Sequence, residues 1–225
     1  MILSLLVGAA AGALAGYLGT LTARKLLDRR GRVLTCGKRT KTALMAVSVL
    51  IGAAGGFLIP LSAESLFMAF MIWLGAAVTL CDLSCRLIPN ELVLLEMAAA
   101  LVFGIPAVLG VPGFPAFSVL SSVLGMIGCF IIFMLPALMS RQVGAGDIKL
   151  AAAIGLCLGL NDSLLCIVLM GVIVIVYVLA QQSMPLLNMI REMIPLGPFL
   201  CAAQCLVLLM RHIPALEGLT RLLSI

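Results

Sequence analysis

The chain has 225 residues, 64% of them hydrophobic and 10% charged, with 14 basic against 9 acidic side chains and a mean hydropathy of +1.28. A soluble domain carries about 25% charged and about 45–50% apolar residues with glycine included, so the apolar content here exceeds any core that water alone could surround. That excludes a soluble globular domain, a disordered chain and an aromatic-lined nucleic-acid surface, and the fold expected is all-α, a polytopic bundle of membrane helices.

The first apolar run, roughly 2–23, is long enough to cross the hydrocarbon, and no charged side chain precedes Arg24. A secretory signal puts positive charge before its apolar stretch; here the charge follows, which reads as a retained helix with its N-terminus outside. Gly8, Gly12 and Gly16 recur at four-residue steps, the pattern that lets a second helix approach closely. Eight of the 14 basic residues then fall between Arg24 and Lys41. Positive charge at this density holds a connection in the cytoplasm, so residues 24–42 are expected to form a short basic cytoplasmic loop.

Further spans are expected at roughly 43–60, 65–81, 92–111, 115–139, 148–160, 163–180 and 196–211, giving eight crossings of which the sixth is short. With the N-terminus outside, the connections at 24–42, 82–91, 140–147 and 181–195 face the cytoplasm and hold Arg86, Arg141 and Arg191, with Lys149 at their edge. The opposite side receives Glu64, Asp162, Arg211, Glu217 and Arg221. The tail, 212–225, alternates apolar and polar residues and reads as an interfacial helix. Residues 1–225 are thus expected to form one membrane-embedded domain.

Eight cysteines are present, and seven lie in or beside apolar runs without a CxxC pair, so they read as small hydrophobes and no metal site is expected. His212, the one histidine, has no neighbours in sequence that would make a triad or a zinc set.

Polar groups at span ends carry the chemistry. Asp82 follows the run W-L-G-A-A-V-T-L-C, and Ile88-Pro89-Asn90 restarts a helix after a short break. Asp147 opens the short sixth span behind Gly144 and Gly146, with Lys149 two positions on. Both aspartates fall on the expected cytoplasmic side, where a bundle can bring them together. Two carboxylates in a poorly solvated cleft share a proton, and the ionised one activates water against a peptide carbonyl while its partner donates to the carbonyl oxygen. The plainer reading gives each aspartate to a helix end, where free N–H groups favour it. Asp28 balances local positive charge; Glu91, Glu96 and Glu192 either tune a site or face headgroups. Lys149 snorkels to the interface, supports the acids, or pairs with Ser84 or Ser140 as a serine-lysine peptidase.

The sequence resembles the type IV prepilin peptidases, GxGD-type membrane aspartic peptidases, in three segments: D-x-x-x-x-x-I-P-N from Asp82, G-A-G-D-I-K-L from Gly144 to Leu150, and I-P-L-G-P-F-L from Ile194 to Leu200. A presenilin-like protease would also use GxGD, but with its first aspartate in a Y-D context. The resemblance implies that Asp82 and Asp147 are the catalytic pair, that Gly144 and Gly146 shape the backbone around Asp147, and that Pro89, Asn90, Lys149, Pro195, Gly197 and Pro198 support the site. It implies a substrate that is a type IV prepilin or pseudopilin, with a short basic leader cut after glycine at the cytoplasmic face of a bacterial membrane. Larger members carry a cytoplasmic zinc domain with paired CxxC motifs and methylate the new N-terminus; here the corresponding interval holds Cys36 alone, so neither zinc nor methylation with S-adenosylmethionine is expected, and no cofactor. A noncatalytic assembly factor and a proton-coupled transporter are the competing readings.

Overall fold

Every regular element among the described residues of this computed structural model (2–115, 117–140, 144–180 and 195–213) is a helix. In chain order they are α1 (Ile2–Asp28), α2 (Lys38–Leu58), α3 (Ala63–Cys85), α4 (Asn90–Val108), α5 (Val119–Ser140), α6 (Ala145–Leu158), α7 (Leu160–Ala180) and α8 (Gly197–Met210). Six of them, α1 to α5 and α7, are long and apolar enough to cross a membrane, so the chain is a polytopic membrane helical bundle. At 1.5 Å per residue the 14 residues of α6 and of α8 reach about 21 Å, short of a hydrocarbon core of about 30 Å.

The helix ends follow local chemistry. Ser62 and Ser65 form a reciprocal capping box at the start of α3. Pro89 caps α4, and Gly159, at φ 80°, allows the abrupt reversal from α6 into α7. The expected loop at 24–42 is corrected to 29–37. Its first residues continue α1 because Ala23, Leu26 and Leu27 are buried in the bundle, and Lys38, Arg39 and Lys41 belong to the first turn of α2. Likewise the third span extends beyond residue 81 to Cys85, taking Asp82 into the helix, and the sixth begins at Ala145, taking in Asp147. The interfacial helix expected at 212–225 lies outside the described residues from 214 onward, as do Arg141, Arg191 and Glu192.

In lipid, close packing rather than water exclusion holds helices together. The glycine ridge of α1 meets a matching one on α2: a Cβ at Gly52 would stand 2.7 Å from the Cα of Gly12, and one at Gly56 would stand 2.8 Å from the Cα of Gly8. Helix α3 lies at the centre, packed against α1, α2, α4 and α8, with Met71, Leu74, Val78 and Leu80 fully enclosed.

The ion pairs among the described residues divide between the two ends of the bundle. At one end the α1–α2 loop lies over α3 and α4, through Arg30 Nη2 to Glu91 Oε2 at 2.6 Å and Thr35 Oγ1 to the Ser84 carbonyl at 3.2 Å. At the other, Arg211 Nε reaches Asp162 Oδ2 at 2.5 Å and His212 Nε2 lies 3.2 Å from Glu64 Oε2.

Candidate active site

Asp82 lies in the last turn of α3 and is 4% exposed. The backbone N–H of Gly197, the first residue of α8, donates to its Oδ2 at 3.0 Å. Asp82 thus stands at the N-terminus of a second helix, where free N–H groups and the helix dipole favour a carboxylate. A Cβ at residue 197 would come within 2.8 Å of that same oxygen and 3.2 Å of Val78 Cγ1, so only glycine admits this approach. Beyond Asp82, α3 stops at Arg86 in the left-handed conformation, φ 50° and ψ 42°, whose N–H returns to the Asp82 carbonyl at 2.8 Å. The chain then turns through Ile88 and Pro89, both buried, and sets Asn90 exposed at the first position of α4.

Asp147 sits in the first turn of α6, its N–H bonded to the Gly144 carbonyl at 3.0 Å. A Cβ at Gly144 would lie 3.1 Å from Asp147 Oδ2, and one at Gly146 would lie 3.1 Å from the Cβ of Ile88. The two glycines therefore do different things: Gly144 gives room to the carboxylate, and Gly146 lets α6 press against the Ile88-Pro89-Asn90 turn. Lys149 Nζ closes that contact from outside by donating to Asn90 Oδ1 at 3.2 Å.

Asp147 lies within electrostatic reach of Asp82. One oxygen of Asp82 is held by a backbone N–H, whereas Oδ1 of Asp147 is enclosed without a hydrogen-bond partner among the described residues. A buried carboxylate oxygen unpaired among the described residues is free to address a water or a substrate carbonyl. Beside this mouth an apolar cleft of about 260 Å³ runs down the bundle, lined among others by Leu44, Ile51, Thr79, Ile173, Pro198 and Phe199.

The residues singled out from the sequence fall into place unevenly. Asp82, Asp147, Gly144, Gly146, Pro89, Asn90, Lys149 and Gly197 converge at one end of the bundle. Pro198 occupies the first turn of α8, where its missing N–H costs nothing, and Pro195 lies half-buried just ahead of it. Ser84 pairs with Cys36 Sγ at 3.1 Å rather than with Lys149, and Ser140 has no described side chain. His212 and Glu64 meet at the opposite end, and Glu91 is taken by Arg30. Among the described residues, no three of His, Cys, Asp or Glu stand where they could hold a metal ion.

Two further residues stand out, Glu96, which does not face headgroups, and Gln204. Glu96 of α4 is completely buried, and its Oε1 accepts a hydrogen bond from Nε2 of Gln204 of α8, itself 2% exposed. Gln204 carries a sequence signal, being the lone amide in the apolar stretch G-P-F-L-C-A-A-Q-C-L-V-L-L-M. An uncharged residue in such a run reads as a tolerated substitution until its partner is known.

Residues 68–179, which include both aspartates, match the sequence model of the Type IV leader peptidase family. No curated protein and no solved structure matches the chain.

Proposed function

The chain belongs to the type IV leader peptidase family and is a membrane peptidase, and we propose that Asp82 and Asp147 hydrolyse the peptide bond between a short basic leader and the hydrophobic helix of a type IV prepilin or pseudopilin. The observation that carries this reading is the placement of two carboxylates from different helices within electrostatic reach of each other at one end of the bundle, each with a glycine backbone pressed against it.

In this mechanism one carboxyl is ionised and the other protonated, since two adjacent charges in a dry site are costly. The ionised group takes a proton from water, which attacks the scissile carbonyl; the protonated group donates to the carbonyl oxygen. Collapse of the tetrahedral intermediate breaks the C–N bond, and a carboxyl proton goes to the leaving amine. Both proton carriers are side chains of this protein, so the scheme requires no cofactor. The apolar cleft beside Pro198 and Phe199 suits the start of the substrate's hydrophobic helix, which would hold the scissile bond at the aspartates. A glycine before that bond keeps the crowded mouth clear.

The end of the bundle holding the aspartates is assigned to the cytoplasm of a bacterial cell, because the basic α1–α2 connection lies there and lysine and arginine are enriched on that side of membranes. The experiment is cleavage of a synthetic prepilin by the purified protein in lipid vesicles, with the product N-terminus read by mass spectrometry. A single cut after the leader glycine is expected, and leader Gly→Val should slow it at least tenfold. Equal rates on both substrates, or no cut at that bond in any prepilin, would overturn the assignment.

A further inference from the structure

The amide of Gln204 stands where four helices meet. From α8, its Nε2 lies at hydrogen-bond distance from Glu96 Oε1 on α4, 3.3 Å from Met71 Sδ on α3 and 3.7 Å from Cys157 Sγ on α6. These are the helices that furnish the site: α3 carries Asp82, α4 carries Asn90, α6 carries Asp147 and α8 carries Gly197. Along its own helix, Glu96 is six residues from Asn90, about 9 Å, and Gln204 is seven residues from Gly197, about 10 Å. The junction therefore sits about two turns inside the bundle from the site, and all four strands of support pass through it.

Stability alone does not account for a polar junction there. Glu96 is 0% exposed, yet its Oε2 has no hydrogen-bond partner among the described residues. An enclosed unpaired oxygen is costly, and two apolar side chains would fill the same volume without it. A directional bond supplies what apolar contact does not: it fixes the register of α8 against α4, whereas packed leucines tolerate sliding and rotation.

We propose that Glu96 and Gln204 are positioning residues for the aspartate pair, setting α8 against α3, α4 and α6 so that the Gly197 N–H meets Asp82 Oδ2. This rests on the leader-peptidase reading for its effect on rate, but its effect on geometry stands independently. The pair works as an acceptor and a donor, so Glu96→Gln, which keeps the acceptor, preserves the function. Removing both polar groups releases the register without unfolding the bundle.

The test compares the parent, E96Q, Q204M and the double variant E96L/Q204L in detergent, reading prepilin cleavage, thermal unfolding and hydrogen exchange of the Gly197 amide. E96L/Q204L should unfold no earlier than the parent, lose at least tenfold in kcat with KM changed by less than about threefold, and exchange Gly197 at least tenfold faster. Q204M, which keeps side-chain length and removes the donor, should show the same loss, and E96Q should stay within about threefold of the parent. A double variant with parental kcat and parental Gly197 protection overturns the proposal. So does an E96Q variant as impaired as E96L/Q204L, since that would give Glu96 a role that needs its acid group. A parent that cleaves no prepilin sinks the leader-peptidase reading, and Gly197 exchange then still decides the positioning role.

Discussion

Gly197→Ala separates activity from stability. The added Cβ would stand 2.8 Å from Asp82 Oδ2 and 3.2 Å from Val78 Cγ1, against about 3.4 Å for an ordinary contact, so something must yield by about half an ångström. What yields is the free end of a side chain rather than backbone, and the cost to folding should therefore be below about 1 kcal/mol. In the proposed mechanism that side chain is one of the two reacting carboxylates, and turning it away stretches the 3.0 Å hydrogen bond from the Gly197 N–H. A hydrogen bond to a charged group contributes about 1.5–3 kcal/mol, which converts to a loss of about 10- to 150-fold in kcat. Steady-state cleavage of a prepilin, alongside a thermal unfolding curve in the same detergent, measures both quantities. Parental kcat in G197A would refute the claim that this contact positions Asp82, and a fall in activity matched by an equal fall in folded protein would refute the separation.

Gly52→Val places its branched side chain against the backbone of α1, where the Cβ alone would stand 2.7 Å from the Gly12 Cα; it should cost about 1–3 kcal/mol of stability, seen as a lowered unfolding midpoint, with kcat per folded molecule unchanged. Lys149→Met removes the 3.2 Å bond to Asn90 Oδ1 at an exposed position, so a loss of about 2- to 10-fold in cleavage is expected, with Asn90→Ala losing a similar amount and the double variant losing no more than either alone. The Arg30–Glu91 pair is partly exposed, so Glu91→Ala should change stability by less than about 1 kcal/mol, the difference shrinking in high salt, and leave cleavage unchanged.

What could be read from the sequence followed from how local the determining physics was. The apolar runs locate the eight helices of the described residues because length and hydropathy are properties of contiguous residues. The glycine ridge on α1 was legible because its partner needed only to be another helix, and α2 supplies it with Gly52 and Gly56. Helix ends were less so: α1 runs on through Asp28 because Leu26 and Leu27 find buried surface on the bundle, and no feature of residues 24–42 encodes that surface. Asp82 and Asp147 could be singled out because a carboxylate at the end of an apolar run needs a reason to be there. What each glycine is for emerged only in three dimensions. Gly197 lies 115 positions from the aspartate it touches, and Gly146 makes room for Ile88 rather than for Asp147. The pairing of Glu96 with Gln204 was hardest to see, since each lies in an apolar stretch and its meaning depends on a partner 108 positions away.

The central claim is that Asp82 and Asp147 act together on one peptide bond. Its most direct test is the mass of the product formed from a prepilin by the parent, by Asp82→Asn and by Asp147→Asn, each shown to be folded. The parent should release the mature chain cut after its leader glycine, and each variant should fall at least a thousandfold, because asparagine keeps the shape of the side chain but its amide acts as neither acid nor base near neutral pH. Undiminished cleavage by either variant would contradict the account.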